Sequence, residues 1–124
     1  MNGTSNDPDL DITTLLLKTF PEFATSPLRA EIYENDGPYT YMSYFGDFLL
    51  QKIDNADTDF INRAFEFINQ CFDDSTFSRK LWDLFVIEIF ERFDMDESYT
   101  GLARANLHGK ALDAFLVRKG RDNG

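Results

Sequence analysis

Along this chain apolar residues recur at three- and four-residue steps instead of alternating, which is the period of helices and not of strands. Asp7-Pro8 joins an N-cap to a proline tolerated at the first helical position. Leu10, Thr13, Thr14, Leu17 and Phe20 then follow at helical spacing, predicting a helix over about 8–20 that Pro21 closes. Ser26-Pro27 repeats the start signal and predicts a short helix to about Tyr33, stopped by the turn Asn35-Asp36-Gly37-Pro38. A third helix, about 39–53, places Tyr41, Tyr44, Phe45, Phe48, Leu49 and Ile53 on one stripe, with Asp47, Gln51 and Asp54 on the other side. Gly46 lies inside it at a cost of about 1 kcal/mol relative to alanine, best offset if another backbone packs closely there.

The fourth helix, about 58–72, has Phe60, Ile61, Ala64, Phe65, Ile68, Cys71 and Phe72 on its inner face. Asp57 is its N-cap, and Asp59 faces the positive end of its dipole. Asp73-Asp74-Ser75 breaks the pattern. The fifth, about 76–93, is apolar nearly all round and reads as the central helix, surrounded by the others. A weaker helix follows over about 98–106, and a last helix, about 109–118, turns Ala111, Leu112, Phe115 and Leu116 inward. The expectation is an all-α, compact bundle of six to seven short helices with HEAT-like antiparallel stacking, although no fixed-period repeat supports a true solenoid. At 124 residues one domain is expected, with 1–7 and 119–124 as flexible tails.

Hydrophobic residues make up 43% of the chain, with 13 Phe and 5 Tyr, ample for a packed interior and unlike a disordered sequence. The formal charge of -10 disfavours nucleic acid and anionic membrane and favours cationic partners. That charge is uneven: residues 1–97 hold 20 acids and 7 bases, and 98–124 hold 2 acids and 5 bases. Cys71 is the only cysteine, so no intrachain disulfide forms. With no signal-peptide pattern at the N-terminus, a reducing, cytoplasmic location is expected.

Catalytic and metal chemistry find little here. His108 is the only histidine, so no triad or His-rich metal site assembles, and Cys71 falls on the expected core face of its helix. A calcium loop read from Asn55 puts Phe60 where glycine is needed, and one read from Asp94 puts Tyr99 there. Gly109-Lys110 lacks the rest of a phosphate-binding loop. No enzyme, cofactor or metal is expected.

The feature with mechanistic content is acid interleaved with tyrosine. Glu31, Glu34, Asp36 and Asp47 form one group, Asp54, Asp57 and Asp59 a second, and Asp94, Asp96 and Glu97 a third, with Tyr33, Tyr39, Tyr41 and Tyr99 nearby. Tyrosines anchor interfaces, and a field of carboxylates speeds association with a basic protein. The ordinary alternative is a solvated acidic face with tyrosines at the rim of the core.

The order of Phe45-Gly46-Asp47-Phe48, Ala64-Phe65-Glu66-Phe67-Ile68, Val86-Ile87-Glu88 and Leu107-His108-Gly109-Lys110-Ala111-Leu112 resembles small acidic all-helical bacterial immunity proteins. These belong to polymorphic toxin systems, including contact-dependent growth inhibition, and the likeness covers about residues 10–118. It implies a cytoplasmic inhibitor that pairs one to one with a basic toxin domain, often a nuclease, and covers its active site. No binding residues carry over with it. The competing expectation is a non-catalytic helical adaptor that holds a partner peptide in a groove between helices.

Overall fold

The computed structural model describes residues 8–33, 36–74 and 79–122, and among them it has eight α-helices, one 3-10 helix and no strand. The chain is an all-α bundle.

Helix α1 spans Pro8–Thr19. Its buried positions are Ile12 and Leu16, continued by Phe20, a four-residue step, while Thr14 is exposed. Of the expected stripe Phe20 is fully buried and Leu17 packs against the core, but Thr13 and Thr14 do not lie on the inner line, which runs through Ile12 and Leu16; the Leu10 side chain lies outside the described residues. Leu15-Leu16-Leu17 is compatible with several faces, and Phe20 at the core fixes which is used. Pro21 ends α1 and also opens a further short helix, α2, Pro21–Ala24. The expected helix from 26 to about 33 is only α3, Pro27–Ala30. Its cap Ser26 is buried: the hydroxyl accepts from the Arg29 amide at 3.1 Å and donates to the Phe23 carbonyl at 2.7 Å, welding α2 to α3.

Helices α4, Pro38–Asp54, and α5, Thr58–Asp73, are the long elements and form the spine. Asp57 caps α5 by accepting from the Phe60 amide at 3.2 Å. The chain reverses between them through Ala56, whose φ of 56° lies in the left-handed region that a residue with a Cβ enters at some cost. Helix α4 touches α1, α3, α5 and α6, and α5 touches α7 and α8.

The expected single helix over 76–93 is two elements: α6, Arg79–Glu88, and a 3-10 helix, Phe90–Met95. Its expected start at 76 lies outside the described residues. The change of winding has a visible cause. Phe90 and Phe93, three apart, are both fully buried, and the three-residue period sets them side by side. The Arg92 amide bonds the Ile89 carbonyl at 3.1 Å, while the Glu88 carbonyl is taken by the Arg92 guanidinium. Nor is α6 surrounded: Ile87 is 47% exposed, and α5, with nine buried residues, is the more enclosed helix.

Helix α7, Glu97–Asn106, is capped by Asp96, and α8 spans Gly109–Asp122, so helix extends into the stretch expected as tail. Ala111 and Phe115 point inward, but Leu116 is 41% exposed. The core is aromatic. Phe20 lies with its ring centre 5.0 Å from Phe45 and 5.2 Å from both Phe60 and Phe67. Phe72, Phe90, Phe93 and Phe115 form a second group, joined to the first where Phe67 meets Phe85 at 6.4 Å. No helix among the described residues is long and apolar enough to cross a membrane.

Candidate functional site

The acidic groups separate into two surfaces once folded. On α4, Tyr39, Ser43, Asp47, Leu50 and Asp54 follow one another at three- and four-residue steps and so share a stripe. Asp54 at its lower end accepts a 2.7 Å hydrogen bond from the Tyr99 hydroxyl of α7. That contact brings Asp54 to the first turn of α7, capped by Asp96, whose charge also acts on Tyr99, although 42 positions separate Asp54 and Asp96 in sequence. The Asp54 carboxylate accepting its proton holds the Tyr99 phenol above its ordinary value of 10.0, and the Asp96 charge adds to this.

Higher on the stripe, Asp47 is paired with Arg92 at 3.1 Å; the same guanidinium reaches Ser43 at 2.9 Å and the Glu88 carboxylate at 3.5 Å. Gly46 makes this possible. A Cβ there would stand 2.8 Å from both the Glu88 carbonyl oxygen and the Arg92 Cδ, so the glycine is the close-approach point that its cost inside a helix suggests.

Asp57 and Asp59 lie on another side. Lys52, whose position on α4 faces away from Asp54, meets Asp57 at 3.3 Å. Arg63 meets Asp59 at 3.2 Å, is bonded to Glu22, and stands over the Phe60 ring at 5.4 Å. This surface is largely neutralised, so the second acidic group is split between two faces.

In the first group Glu31 is exposed, and the Asp36 carboxylate accepts from the Tyr33 amide at 2.9 Å, holding the turn. Glu34 lies outside the described residues. Tyr33 and Tyr39 are 76% and 44% exposed, as an interface anchor requires. Tyr41 is 6% exposed beneath Arg29, because it falls on the same stripe as Phe45 and Phe48; it is a core residue and not a contact for a partner. Asp94 is exposed. Asp96 accepts from the Ser98 hydroxyl and amide, which holds its carboxyl below the ordinary value.

Two structural residues were not singled out from the sequence. Asn69 is 4% exposed on the inner face of α5; its side-chain amide donates to the Asn106 carbonyl at 3.0 Å, and its side-chain oxygen accepts from the His108 amide at 3.1 Å. One side chain thus satisfies two backbone groups at the α7–α8 junction. An amide within the apolar run Phe65, Ile68, Phe72 was the available signal. Arg92, a cation between the buried Phe90 and Phe93, was the other. Burial pushes the Cys71 thiol up to about 12, so it stays protonated and inert at neutral pH. No cluster of three or more metal-ligating side chains occurs among the described residues.

Acid sensitivity follows from the neutralised surface. Hydrogen bonding to Arg63 chiefly holds the Glu22 carboxyl below 4.5, and the Phe60 amide, then Lys52, hold that of Asp57 below 3.8. The native chain therefore binds fewer protons than the unfolded one at these sites. Their stabilisation is complete above those ordinary values and is lost as pH falls through the native ones. The thermal midpoint, followed by circular dichroism, is expected to be flat from about pH 7 to about pH 5 and to fall toward about pH 3. A midpoint unchanged at the acid end would mean that neither contact stabilises the fold.

No curated protein and no solved structure matches the chain. A family profile does match residues 13–112, from within α1 to the start of α8, and the chain belongs to that family, a domain of unknown function (DUF7674).

Proposed function

We propose that this protein is a non-catalytic binding protein whose α4–α7 face engages a cationic protein surface. In the form suggested by the resemblance to immunity proteins, the partner is a basic toxin domain, such as a nuclease, held one to one with its active site covered. The observation that carries the reading is the Tyr99–Asp54 hydrogen bond, which brings Asp54, on the stripe of Asp47 and the exposed Tyr39, to the first turn of α7 with Asp96, while the exposed Glu97 adds its charge from the same turn. Arg92, the cation at the centre of the stripe, has a side chain only 19% exposed and is already engaged by Asp47 and Glu88. The face therefore keeps a negative field, which steers a basic partner and can occupy a site shaped for phosphates.

The test is binding to basic nuclease toxin domains, beginning with any that a neighbouring gene encodes, measured at low and at physiological salt. The association rate is expected to fall about tenfold or more across that range. Asp54→Asn keeps an acceptor for Tyr99 while removing the charge; combined with Glu97→Gln it is expected to slow association several-fold. Asp113→Asn, an exposed acid on α8, leaves the rate unchanged. No binding at low salt sinks the toxin form of the proposal. Binding that ignores both salt and the paired substitution sinks the role of this face.

A further inference from the structure

Two hollows flank the outer face of α5, and their linings differ in chemistry. Between α5 and the α7–α8 junction lies a cleft of about 390 Å³, walled by Asn62, Glu66, Gln70, Asp73, Asn106 and His108, with no lysine or arginine among the described residues of its lining. Asn69 fixes the far wall by holding the backbone of Asn106 and His108. On the other side, between α1 and α5, a groove of about 330 Å³ is lined by Leu15, Thr19, Phe67 and Cys71 together with Arg63 and Asp74. Arg63 is committed to Glu22 and Asp59. Glu66 and Gln70 line both hollows, so the ridge between them is the outer surface of α5 itself.

Each lining selects a different group. Glu66 and Asp73 give the cleft a negative lining that favours a positive side chain, and carboxamides offer both donors and acceptors, matching the alternating N–H and C=O of an extended backbone. The opposite groove presents a leucine 37% exposed over the buried Phe67 ring and Cys71 thiol, so the surface it offers is mainly apolar and suits an apolar side chain. A helix with its side chains is about 10 Å across, and an extended chain advances about 3.3 Å per residue, so crossing the ridge takes about three residues.

We propose that the outer face of α5 docks an extended segment of a partner protein bearing a lysine or arginine and, about three residues away, an apolar side chain. The cation enters the cleft beside Glu66 and Asp73, and the apolar group enters the groove beside Leu15 and Phe67. The proposal does not depend on the α4–α7 face, since none of its residues is shared with that surface.

The experiment titrates the isotope-labelled full chain with a blocked glycine–serine peptide carrying one arginine and, three positions on, one leucine, and follows the backbone and side-chain amide signals. Saturable shifts are expected at Asn62, Gln70 and Asn106, and not on the α4 stripe. Exchanging the peptide arginine for glutamate, or its leucine for serine, is expected to weaken binding about tenfold, the loss of one favourable contact. Glu66→Gln is expected to weaken it several-fold with an unchanged unfolding midpoint, because the exposed Glu66 is bonded to Gln70 one turn along the same helix and not to another element among the described residues. Absence of saturation at millimolar peptide overturns the proposal, as does equal binding of the glutamate peptide or of one with the two side chains adjacent. Shifts confined to the α4–α7 face overturn it while supporting the other surface.

Discussion

Phe20→Ala is expected to remove about 3–5 kcal/mol of folding free energy, the cost of deleting a large ring from a core that cannot close over the gap. Phe20 is fully buried where α1 gives way to α2, and its ring contacts Phe45 of α4 together with Phe60 and Phe67 of α5. These walls are held by other contacts: Phe45 also packs on Phe23, and Phe67 on Phe85. They have little freedom to move inward. The Arg63 guanidinium, 6.0 Å from the Phe20 ring centre, loses that face as well. A domain of this size is stable by about 5–15 kcal/mol, so the substitution takes a large share of the total. Urea unfolding should show a lowered midpoint with an unchanged slope, and Phe20→Leu should recover most of the loss. A loss under about 1 kcal/mol for alanine would mean that the ring is not enclosed on all sides.

The same residue shows what could and could not be read along the chain. The predicted spans 39–53 and 58–72 match α4 and α5 within a residue at each end, because each combines an unambiguous apolar stripe with a recognisable start, Gly37-Pro38 and Asp57. Where apolar residues crowd together the period loses its information. The run Leu15-Leu16-Leu17 hid which face of α1 turns inward, and the dense apolar composition between 81 and 93 hid the passage from α-helix to 3-10 helix at Ile89. Charge was legible as clusters but not as faces. Glu22 and Arg63 are 41 positions apart, and Asp47 and Arg92 are 45 apart, so which acids are neutralised was decided by the packing of α2 on α5 and of α4 on the 3-10 helix. The Tyr99–Asp54 contact, which assembles the acidic edge, is of the same kind. Capping roles at Asp57 and Asp96 are local, and the Asp57 role was legible for that reason.

Gly46 gives the second large effect, and its sign separates packing from helix propensity. In an isolated helix glycine to alanine gains about 1 kcal/mol, so propensity alone predicts a more stable protein. Here the new Cβ would stand 2.8 Å from the Glu88 carbonyl oxygen and within 2.9 Å of two Arg92 side-chain atoms. Arg92 can swing aside, at the loss of its contacts with Asp47 and Ser43. The Glu88 carbonyl belongs to the last turn of α6 and moves only if α6 is pushed away from α4. Overpacking of this kind costs about 1–3 kcal/mol and exceeds the propensity gain, so Gly46→Ala is expected to be destabilising by about 1–2 kcal/mol, and Gly46→Leu by about 3 kcal/mol. Gly101 is the matched control: it lies in α7, exposed, with nothing within 4 Å of its would-be Cβ. Gly101→Ala is therefore expected to stabilise by about 0.5–1 kcal/mol. The same substitution should move the thermal midpoint in opposite directions at the two positions. Two upward shifts would mean that α4 and α6 do not approach closely at Gly46, and with that the seating of Arg92 beneath the acidic stripe would fail.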